Sequence, residues 1–203
     1  MRWLFVMLVA LSLSPPTASA AGPAGSASGA TAVGGPFQLT NQDGHAVTQA
    51  SFEGRPLLLY FGYTSCPDVC PVDLAKIVKI ADAVRQASGK DVTPVFVTID
   101  PERDTPSRLQ AYVRAFGENV VGLTGTTKQI DVITDEYHVY FKKVPVDGGG
   151  YLMDHSTVLF LVGPDGAYLD HYGRKLPDED VVRRIVSTLA ASDKASPMNR
   201  LPQ

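Results

Sequence analysis

Two cysteines stand four residues apart, Cys66 and Cys70, in the run YTSCPDVCP. They are the only cysteines of the chain. At that spacing two thiols share a face if they lie on one helical turn, and stay close if they lie in a short loop. A helix N-terminus favours thiolate over thiol. Two adjacent thiolates can bind a soft metal, or close into a disulfide in an oxidising compartment. A purely static bridge is disfavoured, because a three-residue spacer closes a very small loop and removes little entropy from the unfolded chain. Thiol redox chemistry and metal binding both remain. A structural zinc site normally takes four protein ligands, and no histidine pair stands near the cysteines. A third ligand must come from elsewhere, and His155 in YLMDHSTVLFLV is the best candidate. Two sulfurs and an imidazole nitrogen suit three-coordinate Cu(I), or Cu(II) with a further oxygen ligand. His45, in an N-terminal turn, His138, in YHVYFKK, and His171, at a hairpin end, are weaker candidates.

These residues need elements to hold them. Pro56–Gly62, PLLLYFG, is an unbroken apolar run that predicts a strand buried on both faces. Behind the cysteines, Leu74, Ile77, Val78, Ala81 and Val84 recur at helical spacing, and Ser88-Gly89 ends that helix. Its start is expected near Cys66 to Asp68. The cysteines therefore fall where a central strand hands over to a helix, a place where sites of α/β folds gather. Val92–Ile99 predicts a second central strand. Thr105-Pro106 reads as an N-cap followed by proline at the first helical position. Between them, Asp100-Pro101-Glu102-Arg103-Asp104 reads as a charged turn.

Val120–Leu123 predicts a short strand, residues 126–136 a helix, and Tyr137–Val144 an extended segment. PVDGGG then reads as a movable loop leading into His155 and the strand Ser156–Val162. That strand should pair with Tyr168–Tyr172 through the turn GPDG. Pro177 opens a last helix, with Asp178, Glu179 and Asp180 placed to meet the positive end of its dipole. Phe37–Thr40 and Ala46–Thr48 flank a turn near the start. The order predicts an α/β fold with a mixed central sheet, thioredoxin-like, with an N-terminal extension and an inserted hairpin or loop before the late strands.

The remaining segments lie outside that unit. Arg2, an apolar run from Trp3 to Leu13 broken only by Ser12, Pro15-Pro16 and Ala18-Ser19-Ala20 have the layout of a signal peptide, residues 1–20. The apolar run is shorter than the roughly 20 residues that span a bilayer. Export to the periplasm is expected, with an uncleaved membrane anchor as the alternative. Residues 21–35 read as a flexible Gly/Ala/Ser leader, 36–191 as the folded domain and 192–203 as a loose tail. The chain has 203 residues, 18 Lys+Arg against 21 Asp+Glu, and a net charge of -3. Its apolar content of 44% excludes wholesale disorder, and the mildly acidic balance without a basic patch disfavours nucleic acid.

FGYTSCPDVCPVDL, VTIDPERDTP, YHVYFKK and DHSTVLFLVGPDG together resemble the SCO/SenC family of exported, copper-binding, thioredoxin-like proteins. The resemblance implies Cys66, Cys70 and His155 as ligands of a single copper ion per chain, Cu(I), Cu(II) or both. It implies a metallochaperone for the binuclear copper centre of cytochrome c oxidase, with thiol-disulfide reduction of the target's cysteines as the alternative activity. The implied partners are the copper-site subunit of that oxidase or another periplasmic copper protein, and a thioredoxin-like reductant. Asp154 would orient His155 or shape its loop; Asp100 is favoured as part of the charged turn, with a place facing the site from its strand end as the alternative. Asp68, between the cysteines, would tune charge at a docking surface or simply be solvated.

Overall fold

The computed structural model describes residues 32–195. The expected signal peptide, most of the leader and the far end of the tail lie outside the described residues. The central sheet has seven strands in the order β2-β1-β5-β4-β3-β8-β9. In chain order these are β1 (Gln38–Asn41), β2 (Ala46–Thr48), β3 (Leu57–Gly62), β4 (Thr93–Thr98), β5 (Val121–Thr124), β8 (Val158–Val162) and β9 (Tyr168–Gly173). Two further strands, β6 (Phe141–Pro145) and β7 (Tyr151–His155), form a separate hairpin. The helices are α1 (Val69–Ser88), α2 (Pro106–Arg114), α3 (Thr127–Glu136) and α4 (Asp178–Ala195).

β3 runs parallel to β4 and antiparallel to β8, and β4 runs parallel to β5, so the sheet is mixed. Every residue of β3 is buried, as its unbroken apolar run predicts. Successive side chains leave a strand on opposite faces. Tyr60 accordingly reaches Asp73 of α1, and Phe61 packs against Tyr137 and Phe160 on the other side. α1 and α4 lie against each other. The expected thioredoxin-like arrangement is therefore present, with β1–β2 added at one edge and the β6–β7 hairpin inserted before the last two strands.

Local signals explain the element ends. Gly89 closes α1 in the left-handed conformation (φ 72°). The Thr105 hydroxyl accepts from the Arg108 N–H at the start of α2, and Thr126 with Gln129 forms a capping box on α3.

Three expectations need correction. α1 begins at Val69, so Cys66 lies in the preceding turn rather than on the helix. Residues 137–140 are not extended: Tyr137 caps α3, and His138 takes a positive φ of 52° to turn the chain into β6. His155 closes its own hairpin instead of opening the strand that follows. Val33 packs against the core, the Gly34 N–H donates to Glu136 O (2.6 Å), and α4 continues as far as Ala195.

Candidate metal centre

β3 ends at Gly62, and the turn after it delivers Cys66 to the N-terminal end of α1, where Cys70 is the second helical residue. Gly62 is required there. A Cβ would stand 3.0 Å from Cys70 Sγ and 2.9 Å from Phe96 Cε2, closer than side chains tolerate. The missing side chain makes room for a buried thiol.

The two cysteines are not equivalent. Cys70 is fully buried, and Cys66 is partly exposed. The Cys70 backbone N–H donates to Cys66 Sγ at 3.4 Å. Burial works to raise the Cys66 pKa. The N–H groups of Cys70, Asp68 and Val69 and the Cys70 thiol outweigh it, so the pKa falls below the ordinary thiol value. Cys70 goes the other way. Burial first, then the neighbouring Cys66 sulfur, push it up to about 12 against the lowering contact with the Tyr63 backbone.

His155 arrives from the hairpin. Its Nε2 lies 3.5 Å from Cys70 Sγ, and its Nδ1 lies 2.9 Å from Ser156 O. A carbonyl only accepts, so Nδ1 carries the proton and Nε2 presents its lone pair to Cys70 Sγ. Tyr60 and Tyr63 meet the ring edge-on, with centroids 6.4 and 6.0 Å away. Burial lowers the His155 pKa, opposed by the Ser156 carbonyl and the carboxylates of Asp154 and Asp73. The imidazole is thus held neutral, the form that binds metals. One metal at ordinary sulfur and nitrogen bond lengths sets those two atoms about 3.5–3.8 Å apart, and the Cys70–His155 separation falls in that range.

The hairpin also relocates the glycine-rich segment. Residues 146–150 form its tip, and Phe141 pairs with His155 at its base. The Ser156 N–H donates to Tyr140 O (2.9 Å), and the Tyr140 N–H donates to Ser156 Oγ (3.1 Å). His155 therefore sits at the anchored end, and the expectation of a movable loop running directly into it does not hold.

The segment between β4 and α2 holds both arms of the site. Asp104 is fully buried and accepts from Thr64 N (2.9 Å), Thr64 Oγ1 (2.6 Å) and Thr98 Oγ1 (2.6 Å). Arg108 donates to Thr64 Oγ1 (2.8 Å) and Ser65 Oγ (2.9 Å). Together they fix the turn just ahead of Cys66. Asp100, also buried, accepts from Arg103 Nε and from the Tyr151 hydroxyl (2.8 Å). One oxygen thus bonds the hairpin through Tyr151 and the other bonds Arg103 of its own segment, so it supports the histidine arm. The reading of residues 100–104 as an ordinary charged turn is corrected, since two of its carboxylates are interior.

Asp154 is exposed, and the hydrogen-bond partner of the His155 ring is the Ser156 carbonyl in its place. Asp68 is exposed at the start of α1. Sequence reasoning missed Asp73, which accepts from the Tyr60 hydroxyl (3.0 Å) and from Arg174 Nε (3.0 Å) beneath Cys70. A carboxylate on the buried face of α1, one turn past Cys70, was the available signal. His45, His138 and His171 lie apart from the cysteines; His171 accepts from or donates to Tyr168 Oη at 2.6 Å.

Residues 25–190 match the family model described as SCO1/SenC. The mitochondrial SCO1 homolog 1 of Arabidopsis thaliana is 41% identical over 150 residues, covering 74% of this chain and 45% of that protein. The human mitochondrial SCO1 homolog is 39% identical over 166 residues, covering 81% of this chain and 55% of that protein. The chain thus spans about half the length of these relatives. A crystal structure of Arabidopsis thaliana ScoI with copper bound superposes with a TM-score of 0.76 at 38% identity, covering 79% of this chain and 99% of that one.

Proposed function

Because this chain belongs to the SCO1/SenC family, we propose that it is a copper metallochaperone that carries its ion on Cys66, Cys70 and His155. The cargo's destination in this reading is the binuclear copper centre of cytochrome c oxidase, with the copper-site subunit as partner, or another periplasmic copper protein. The observation that carries the reading is the approach of His155 Nε2 to Cys70 Sγ, 3.5 Å apart, beside a thiol that favours thiolate. The relative solved with copper bound supports the choice of metal. Two sulfurs and one nitrogen leave copper coordinatively open. A target thiolate enters that position, and ligands then exchange one at a time so that free copper is never released. Export to the periplasm, with an uncleaved N-terminal anchor as the alternative, belongs to the same proposal. Among the described residues no helix is long and apolar enough to cross a membrane.

Anaerobic Cu(I) titration of the reduced full chain tests this. One copper per chain is expected, bound through sulfur and nitrogen donors in X-ray absorption. Binding should weaken sharply in Cys66→Ser, Cys70→Ser and His155→Ala. Unchanged binding in His155→Ala would reject the ligand set.

The unequal thiols favour a second activity with the same residues. The Cys66 thiolate attacks a target disulfide, forming one mixed disulfide and releasing one target thiolate. Cys70 then loses its proton and displaces the second target sulfur. The products are a Cys66–Cys70 disulfide and a reduced target, and a thioredoxin-like reductant returns the two electrons. Reduction of a disulfide peptide by the metal-free protein, followed by mass spectrometry, measures it directly. No target thiol formed would exclude it.

A further inference from the structure

Arg103 makes four contacts around the segment after β4, two of them to Tyr151 of the hairpin. Its Nε donates to Asp100, and its Nη1 donates to the Tyr151 carbonyl (3.0 Å). Its guanidinium lies 3.8 Å from the Tyr151 ring centroid and 5.7 Å from that of Tyr63, and Tyr63 in turn meets the His155 ring. The Tyr151 hydroxyl completes a closed ring of contacts by donating to Asp100 (2.8 Å). Lys143, on β6, bonds Glu102 (2.6 Å) and lies 4.7 Å from the same tyrosine ring. Among the described residues the hairpin has no ladder to the central sheet. Its orientation over Cys70 therefore depends on its base, on Met153 packed into the core and on this clasp.

We propose that Arg103, docked between Asp100 and Tyr151, is the positioning residue for the imidazole arm of the copper site. It acts on His155 through β7 and touches neither copper nor the thiols. Its planar fork reaches a carboxylate and a carbonyl together while stacking on a ring, and lysine cannot do all three. Asp104 serves the cysteine arm by separate contacts, so the two arms should respond independently.

This inference rests on the proposed ligand set, and the test separates the two. Cu(I) affinity is measured by competition titration on the full chain for Arg103→Ala, His155→Ala and the double variant. Arg103→Ala should bind about 10- to 100-fold more weakly, with nitrogen scattering reduced in X-ray absorption. The double variant should bind no more weakly than His155→Ala alone. The Cys66–Cys70 reduction potential should match that of the unaltered protein. In the metal-free protein, amide order parameters for residues 151–155 should fall.

Unaltered affinity in Arg103→Ala would overturn the proposal while leaving the ligand set intact. So would a double variant weakened by the full Arg103→Ala factor beyond His155→Ala. Normal binding by His155→Ala would overturn the ligand set, and the clasp's role with it. If Arg103→Ala does not fold, Arg103→Lys and Tyr151→Phe run the same cycle, and the same outcomes decide.

Discussion

Three residues make up the proposed site, and their surroundings give each a different protonation. Cys66 ionises below the ordinary thiol range, whereas Cys70 is held up to about 12. Alkylation of the reduced metal-free protein at neutral pH should therefore label Cys66 first. In Cys66→Ser, Cys70 should stay nearly inert until strongly alkaline pH, because burial, its main perturbation, is unchanged. Peptide mapping by mass spectrometry reads both results, and equal labelling would contradict the assignment. His155 sets a second dependence. Its folded pKa lies below its ordinary value of 6.5, so between the two values the unfolded chain holds more protons than the folded one. Stability from the neutral imidazole is fully present above about pH 6.5 and declines as pH falls through the folded value. Urea titrations of the metal-free protein from pH 8 to 5 should show that decline, reduced in His155→Ala. Cys66, Cys70 and His155 are legible in the sequence because few other residue types bind soft metals. Asp104 and Arg103 are not. Thr64, Thr98 and Asp104 meet only through the parallel pairing of β3 with β4, and no local pattern encodes that meeting.

Among the elements, the stretch from Thr98 to Arg108 matters beyond its length. It ends β4, starts α2, and between them grips both arms of the site. Asp104→Ala removes the acceptor from three donors, of which Thr98 Oγ1 is buried and the two of Thr64 are part-buried. Each orphaned donor costs about 1–3 kcal/mol, so a loss of about 3 kcal/mol or more is expected in urea unfolding. A loss below about 1 kcal/mol would show that the cysteine turn is held by something else. The strands β3 and β4 are plain in the sequence as long apolar runs, and the helices are plain from period and caps. β6 and β7 are harder to see. Their exposed hairpin alternates only weakly, and Val144 and Leu152 face each other across it while remaining exposed. The strong apolar strand Val158–Val162 lies immediately beyond, which draws His155 toward the wrong element.

At the scale of the molecule, two sheets meet at the site. The seven-stranded sheet contributes the thiols through β3, and the two-stranded ribbon contributes the imidazole. Two-stranded ribbons are marginal without support, whereas β3 is wholly buried between neighbours. Hydrogen exchange should report that difference: ladder amides of β6 and β7 should exchange about 100-fold faster or more than those of β3 and β4. Equal protection would mean that the hairpin opens only with the whole domain. A consequence concerns how the protein fails. If, in the proposed site, the nitrogen donor rides on the sheet that opens first, gentle warming or mild urea should first leave a folded dithiol protein that has lost its imidazole, and only later an unfolded chain. Heat damage to the Cu(II)-loaded protein would then begin as a change of ligand field, visible in its absorption spectrum before any loss of helix.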